Sequence, residues 1–446
     1  MPLSDYERGF ASRHLAWQIL MEQEKSGTFL KGLFAARLQG ETPDKDLVRT
    51  LCLGVIRWRR LLDYNLDMQA TRSIPDRKMR MLLRLGAFQL FFLNGVPAYA
   101  AVDTTVELVK AEFGKFGAGF ANALLKALSL SGLRRLPDSD PKAMAVNHSH
   151  PDWLVEHWSR SLSKEALERA LSRDNEEAPL WIRVNPRKGE VRETLEALRA
   201  EDVSTGPCPE ADLFHRILSG ADKALRSPAF AEGRFSFQDP VAYFIACLLD
   251  WHPGLSVLDA CAAPGGKSAL LLELCFSRGE DISRSRILCA DLSGKRLRKI
   301  RDARERLGHS ELMPVVMDLE KPACKTKFDR VLLDAPCSNL GVLRRRPEAR
   351  WNQSPENVSG LAKKQLALLE SASHLLAPSG ILVYAVCSPE PEETMEVVEK
   401  FLTLHPGFKL ADISGQIPEA LQKRGCLWIY PGETEFDGFF AAVLKR

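Results

Sequence analysis

The chain has 446 residues, 45% of them hydrophobic and 27% charged, with a formal net charge of +3. That length exceeds one ordinary domain and suffices for two or three cores, and the composition excludes a disordered or fibrous chain. The opening MPLSDYERGF lacks the basic and apolar regions of a signal peptide. The most apolar window, LLRLGAFQLFFLNGVPAYAAV, is broken by Arg84, Gln89, Asn94 and Pro97, so no membrane span is expected. Ten cysteines with no C-x-x-C pair suggest neither a zinc site nor a disulfide framework. A cytoplasmic monomer without membrane or metal is the expectation.

Residues 1–150 hold 21 Lys and Arg against 15 Asp and Glu, the remainder 40 against 43. The basic excess therefore lies in front, compatible with nucleic-acid contact and equally with a solvated helical surface. In DKDLVRTLCLGVIRWRRLLDYNL the apolar residues Leu47, Leu51, Val55, Trp58 and Leu62 recur every three to four positions, a helical stripe. RHLAWQILMEQ, RKMRMLLRLGAFQLFFL and AAVDTTVELVKAEF repeat that spacing, and an all-helical domain is predicted over 1–140. LRRLPDSDPKAMAVNHSHP, rich in Pro, Ser and Asp, reads as a linker, with His148 and His150 as linker residues and not ligands.

Over 141–234 a helix in WLVEHWSRSL, a strand in LWIRVN and a helix in VRETLEALRAE predict a small α/β module. From 235 to 446, SVLDACA, RILCADL, LMPVVMD, DRVLLDAP, GILVYAVC and GFFAAVL alternate with helical stretches. Such alternation predicts a mostly parallel sheet with helices on both faces and a ligand at the carboxyl ends of its strands.

Those strand ends carry acids and thiols. VLDACAAPGGKSALLL, residues 257–272, has the strand, Gly-rich turn and helix start of an anion site. The full phosphate-binding pattern would need glycine at Cys261, so a nucleotide phosphate fits poorly. Asp291 stands where an α/β nucleoside site sets an acid against ribose hydroxyls. A nucleoside without a phosphate chain follows, and S-adenosylmethionine, with its positive sulfonium, suits a pocket rimmed by Asp259, Asp291, Asp318 and Asp334. Each of these acids taken alone could be only a helix cap. Cys337 in LLDAPCSNLG and Cys387 in LVYAVCSPEPEE end adjacent strands, each followed by Ser; buried structural cysteine is the plain alternative to a nucleophilic pair. Arg344, Arg345, Arg346 and Arg350, with Trp351, read either as a solvated loop or as contacts for a phosphate-bearing substrate with a ring for stacking.

DACAAPGGKS, DAPCS, the VCS before PEPEE, QDP at 238–240 and the closing DGFFAAVLKR together resemble the RsmB-type (Fmu/Sun) ribosomal RNA cytosine-C5 methyltransferases. LGVIRWRRLLD, MLLRLGAFQLFFLNGVPAYAAV and GFANALLKAL resemble the NusB-like RNA-binding domain ahead of that catalytic domain. The resemblance implies a multidomain α and α/β chain: an N-terminal all-helical NusB-like domain, a small α/β middle module that contacts RNA, and a C-terminal Rossmann-like S-adenosylmethionine-dependent methyltransferase domain. It implies that Cys261, Ala262, Ala263, Pro264, Gly265, Gly266, Lys267, Asp291, Asp318 and Asp334 contact the cofactor, that Cys387 is the nucleophile, that Cys337 assists release, and that Asp334 also holds the base. The implied substrate is small-subunit ribosomal RNA; the same chemistry on transfer RNA and a non-catalytic RNA-binding assembly factor are the alternatives. Two positions depart from the family pattern: Asn339 stands where it has Gly, and Val386 where it has Thr.

Overall fold

The computed structural model describes residues 5–39, 44–74, 76–137 and 140–446. The start of the opening segment and Asp138 and Ser139 of the Pro-, Ser- and Asp-rich stretch lie outside them. The chain packs as two units, residues 1–176 with 343–354, and residues 177–342 with 355–446.

In the first unit the three-and-four spacing of apolar residues produces α1 (Asp5–Ser26), α2 (Leu30–Arg37), α3 (Lys45–Arg57), α4 (Arg59–Gln69), α5 (Arg77–Phe92) and α6 (Ala98–Ser131). Side chains of Asp44 and Asp76 accept backbone N–H groups at the starts of α3 and α5. Leu51, Val55, Leu62, Leu82, Leu85 and Leu125 meet in one core. Three short helices follow, α7 (Pro141–Asn147), α8 (Asp152–Trp158) and α9 (Lys164–Arg173). The stretch read as a linker thus carries a helix, capped by Asp140 with Pro141 in its first turn. His150 is not a linker residue either: its ring is fully buried, with Nε2 3.3 Å from Asp174 Oδ2.

The second unit opens with an antiparallel sheet of β1 (Leu180–Val184), β2 (Ser204–Pro207), β3 (Phe214–Ser219) and β4 (Phe235–Phe237), in the order β2-β3-β1-β4. α10 (Val191–Ala200), α11 (Ala221–Arg226) and α12 (Pro228–Ala231) accompany it, and Ile182, Leu198, Ile217 and Phe235 form its own small core. β1 and α10 were legible as periodic runs. β2 and β3 were not, since STGP offers no alternation of apolar and polar residues.

After α13 (Val241–Leu249) come β5 (Val257–Asp259), α14 (Gly266–Ser277), β6 (Ile287–Asp291), α15 (Gly294–Leu307), β7 (Leu312–Val316) and β8 (Phe328–Asp334). α16 (Ala349–Asn352) belongs to the helical unit. The chain then forms α17 (Pro355–His374), β9 (Leu376–Val386), α18 (Met395–Leu404), β10 (Lys409–Leu410), β11 (Gln422–Lys423), β12 (Cys426–Ile429) and β13 (Phe439–Lys445). The strands lie in the order β11-β12-β13-β9-β8-β5-β6-β7, with β10 pairing β13. β5 to β9 are parallel, while β13 runs antiparallel to β9 and to β12. All six predicted strands are present. Burial on both faces explains why β9 reads as the unbroken apolar run ILVYAV.

This order fixes where a ligand goes. The chain winds from β5 through β6 to β7 on one side, then crosses to β8 and β9 on the other, so the direction of winding reverses between β5 and β8. Open parallel sheets bind ligands in the crevice outside the carboxyl ends at such a reversal. The two residues that end these strands are Asp259 and Asp334.

Candidate active site

The turn between β5 and α14 is pinned to strands on both sides: Ala260 N–H donates to Leu332 O and Ala262 N–H to Ala290 O, each at 2.8 Å. Gly265 has φ of +94°, and a Cβ there would lie 3.3 Å from Ile300 of α15, so both its conformation and its surroundings call for glycine. The Ala263–Pro264 peptide is cis. Arg183, fully buried on β1, donates to Gly266 O at 2.7 Å and to Gln238 Oε1. Its guanidinium pairs with Glu273 of α14, Nε to Oε2 2.6 Å, and His309 Nε2 lies 2.9 Å from Glu273 Oε1. A buried pair of this kind is strongly coupled, because loss of either partner strands a charge. The small sheet thereby fixes the start of α14.

Around this turn the acids form an electrostatically linked set. Asp259 is 1% exposed and Oδ2 accepts from the Ser268 hydroxyl at 2.6 Å. Burial pushes its carboxyl up to about 7, against that hydrogen bond and reinforced by the charges of Asp334 and Asp291. Asp291, at the end of β6, is buried, accepts Ser293 N–H at 2.9 Å and lies 3.4 Å from Arg296 Nη1. Lys267 Nζ sits 2.5 Å from Asp334 Oδ2 and 5.4 Å from the centroid of the Phe439 ring. Burial works against this ammonium, but Asp334 outweighs it and holds the pKa above the ordinary lysine value. Burial pushes the Cys261 thiol up to about 12. Asp318 is exposed on the loop after β7, where Oδ1 accepts Glu320 N–H at 3.0 Å; it stands apart from this set.

The two Cys-Ser dipeptides face each other. β8 and β9 are adjacent and parallel, with Asp334 opposite Ala385, and Ala335 N–H continues the ladder to Ala385 O at 2.9 Å. Cys337 Sγ lies 2.9 Å from Cys387 Sγ, and Ser338 Oγ lies 3.1 Å from Ser388 Oγ. Both cysteines are free and half-buried. Gly341 N–H donates to Cys387 O at 3.1 Å and Gly438 N–H to Gly341 O at 2.8 Å; a Cβ on Gly341 would fall 2.2 Å from Gly438 O. Asn339 has φ of +64°, a conformation Asn tolerates better than other residues bearing a Cβ, which explains how it can stand where the family pattern has Gly. Its Nδ2 donates to Cys337 O at 2.9 Å and its Oδ1 accepts from the Cys387 thiol at 3.5 Å. Val386 is fully buried in β9.

Beneath the dipeptides lies a residue that sequence reading missed. Glu393 is fully buried and accepts Ser338 N–H at 2.9 Å, the Ser338 hydroxyl at 2.5 Å and Gln365 Nε2 at 2.9 Å. The Tyr384 hydroxyl donates to Glu393 O at 2.6 Å and lies 3.1 Å from Gln365 Oε1. Burial raises the Glu393 carboxyl, opposed by these hydrogen bonds. The hydrogen bond with Cys387, then burial, then the Cys387 and Glu393 charges raise the Cys337 thiol well above its usual value. Arg183 and Glu273 were also missed, although a lone Glu in the apolar run SALLLELC was a visible signal.

At Arg344 and Arg350 neither sequence reading of the arginine run survives. Arg350 is fully buried in the helical unit, donating to Ser149 O at 3.1 Å, Asn175 Oδ1 at 2.8 Å and Asp174 O at 3.0 Å. Arg344 is buried too, and its carbonyl accepts from Arg57 Nη2 at 3.1 Å. Glu348 caps α2 through Leu30 N–H at 2.8 Å, and Trp351 Nε1 donates to Ile56 O at 2.8 Å under the guanidinium of Arg59. At Arg344 and Arg350 the run is neither solvated nor available for phosphate contact, and residues 343–354 pack with the helical unit.

Comparison with known proteins finds three family matches along the chain. Residues 246–445 match the family described as 16S rRNA methyltransferase RsmB/F, residues 11–129 the NusB family, and residues 150–213 the ferredoxin-like domain of RsmF/B-like methyltransferases. The probable ribosomal RNA small subunit methyltransferase B of Synechocystis sp. is 31% identical, over 98% of this chain and 99% of its own. The Bacillus subtilis protein of that description is 30% identical, over 97% and 98%. The crystal structure of PH0851 is similar over 100% of both chains, with a TM-score of 0.79 at 23% identity, a likeness of fold.

Proposed function

Because the chain belongs to the RsmB/F family of 16S rRNA methyltransferases, we propose that it methylates C5 of a cytidine in small-subunit ribosomal RNA, with S-adenosylmethionine as methyl donor. The observation that carries this reading is the facing pair of thiols, 2.9 Å apart, next to the ion pair of Asp334 and Lys267 at the reversal of the sheet.

The residues present fit the cofactor. Asp259 Oδ1 is buried with no hydrogen-bond donor among the described residues, and Asp291 Oδ2 has only the Arg296 guanidinium at 3.4 Å; hydroxyl groups of a nucleoside can supply donors to both. Glycine at 265 and 266 lets backbone approach a ligand closely, and an acid-rimmed pocket favours a cation. Cys261 through Lys267, Asp259, Asp291 and Asp334 would hold it; Asp318, exposed on the loop after β7, would not. When bound, S-adenosylmethionine supplies an electrophilic methyl group.

Cytosine C5 is too weakly nucleophilic to accept that group unaided. The Cys387 thiolate adds to C6, and the electron pair it contributes makes C5 enamine-like. Asp334 takes the N3 side of the base, with Lys267 placing positive charge beside it as the ring loses aromaticity. Once C5 is substituted, its proton passes to solvent water, the electron pair it leaves restores the C5–C6 double bond and the aromatic ring, and the C6–S bond breaks with its pair on the Cys387 sulfur, which departs as a thiolate. Cys337, beside the sulfur that departs, assists this release. A thiolate reaches C6 only from the face of the ring, so the target cytosine is unstacked. The basic excess of the N-terminal segment supports a grip on RNA phosphates.

The test is nucleoside mass spectrometry after incubation with methyl-labelled S-adenosylmethionine and 16S rRNA that lacks the modification. Label in 5-methylcytidine is expected. Label in a different nucleoside, or in transfer RNA alone, overturns the reading.

A further inference from the structure

The glycine turn between β5 and α14 is held from two directions. From within its own sheet, Ser268 is tied to Asp259 at 2.6 Å and Lys267 to Asp334 at 2.5 Å. From outside that sheet comes Arg183 of β1, 1% exposed, whose Nη1 donates to Gly266 O at 2.7 Å and to Gln238 Oε1. Gln238 closes the same side: a Cβ on Gly266 would lie 3.1 Å from its Nε2, so the amide stands against the backbone of the turn. Both residues precede every strand of the parallel sheet in the chain. Gln238 is also the first residue of the QDP motif, which the methyl transfer leaves without a role. A cation beside the first residue of a helix opposes the helix dipole, so the stability of α14 alone does not account for Arg183. Its charge is balanced further along that helix by Glu273, where Nη2 donates to Oε1 at 3.0 Å.

We propose that the small sheet is part of the cofactor site: Arg183 and Gln238 are positioning residues that hold the Gly265–Gly266 turn in the form that binds S-adenosylmethionine. The inference rests on the reading of that turn as the cofactor site. Neither side chain needs to touch the ligand. Arg183 acts through Gly266 O, while Gln238 fixes the guanidinium and packs against Gly266. Backbone that approaches a ligand closely binds best when it is already in place, because ordering on binding is subtracted from affinity. Loss of the outer tie therefore weakens cofactor binding, whereas Cys337 and Cys387, carried by the loops after β8 and β9, keep their geometry. The small module, read from the sequence as a contact for RNA, thus also sets cofactor affinity.

The experiment is calorimetric titration of the full chain with S-adenosylmethionine, without RNA, beside thermal unfolding of the same samples. Arg183→Met alone strands the Glu273 carboxylate, so the decisive variant combines it with Glu273→Leu, since apolar residues of similar volume can replace a buried ion pair at little loss of stability. This double variant should melt close to the native protein and bind the cofactor about tenfold more weakly, the scale of one lost hydrogen bond from a charged donor. In turnover with 16S rRNA its KM for S-adenosylmethionine should rise by that factor, with kcat at saturation nearly unchanged. Gln238→Ala, which leaves the ion pair in place, should weaken binding in the same direction. Native affinity in the folded double variant overturns the proposal. So does an affinity that falls only in step with the melting temperature, the mark of a merely structural role. Should the double variant fail to fold, native affinity in Gln238→Ala overturns it equally. The two readings fail separately: a native protein that binds no S-adenosylmethionine removes the cofactor reading, whereas native binding with unmoved variants removes this inference alone.

Discussion

Asp259 shows how one buried carboxyl links the site to stability. Its folded pKa, about 7, is above the ordinary aspartate value because burial disfavours the charge. A raised carboxyl holds its proton more tightly when folded, so its contribution to stability is complete below about pH 4 and is lost as pH rises through about 7. The full loss is on the order of 4 kcal/mol. Asp259→Asn keeps an acceptor for the Ser268 hydroxyl and cannot ionise. Melting temperatures of the second unit, measured at about pH 5 and about pH 8, should therefore fall less with rising pH in Asp259→Asn than in the native protein. Equal falls would show that Asp259 is ordinary. Gly265 makes a second residue-scale case: Gly265→Ala forces a Cβ into a left-handed turn against Ile300, at a cost of about 1–2 kcal/mol. Calorimetric titration should record S-adenosylmethionine affinity about tenfold weaker.

Between elements, the decisive contact is that of the loops after β8 and β9. Parallel pairing sets the two Cys-Ser dipeptides level, and the hydrogen bonds of Gly341 to Cys387 O and Gly438 to Gly341 O lock the loops together. A methyl group at Gly341 would overlap the Gly438 carbonyl. Gly341→Ala should leave cofactor binding intact and lower kcat by about 100-fold, the scale of a misplacement of about 1 Å at a reacting group. Equal losses in binding and kcat would point instead to general unfolding. β8 and β9 themselves were legible, because unbroken apolar runs are local signals. So was the turn DACAAPGGKS, whose glycines answer to constraints within a few residues. The Glu393 hub was not, since Gln365, Tyr384 and Ser338 reach it from α17, β9 and the loop after β8.

At the scale of the molecule, sequence order and packing part company at residues 343–354, which return to the helical unit. Arg350 shows why this was illegible: its partners Ser149, Asp174 and Asn175 lie roughly 175–200 positions earlier, and only the folded chain reveals a buried guanidinium in a run of arginines that reads as surface. Burial lowers its pKa to about 10, yet it stays charged at neutral pH. Arg350→Met should lower the stability of the helical unit by about 3 kcal/mol, since it leaves the buried Ser149 and Asp174 carbonyls and Asn175 Oδ1 without their donor and removes the positive charge acting on the buried Asp174 carboxyl. Calorimetry should then show the transition of that unit moved down and that of the second unit unmoved. A small change confined to RNA affinity would restore the reading of Arg350 as a phosphate contact.

The central claim, that Cys387 attacks the base and Cys337 frees it, is tested most directly by trapping. Cys337→Ala and Cys387→Ala variants are incubated with S-adenosylmethionine and unmethylated 16S rRNA, and protein–RNA adducts are measured by mass spectrometry. An adduct that accumulates in Cys337→Ala and is absent in Cys387→Ala is the predicted result. The reverse pattern, or methylated cytosine formed by Cys387→Ala, would contradict it.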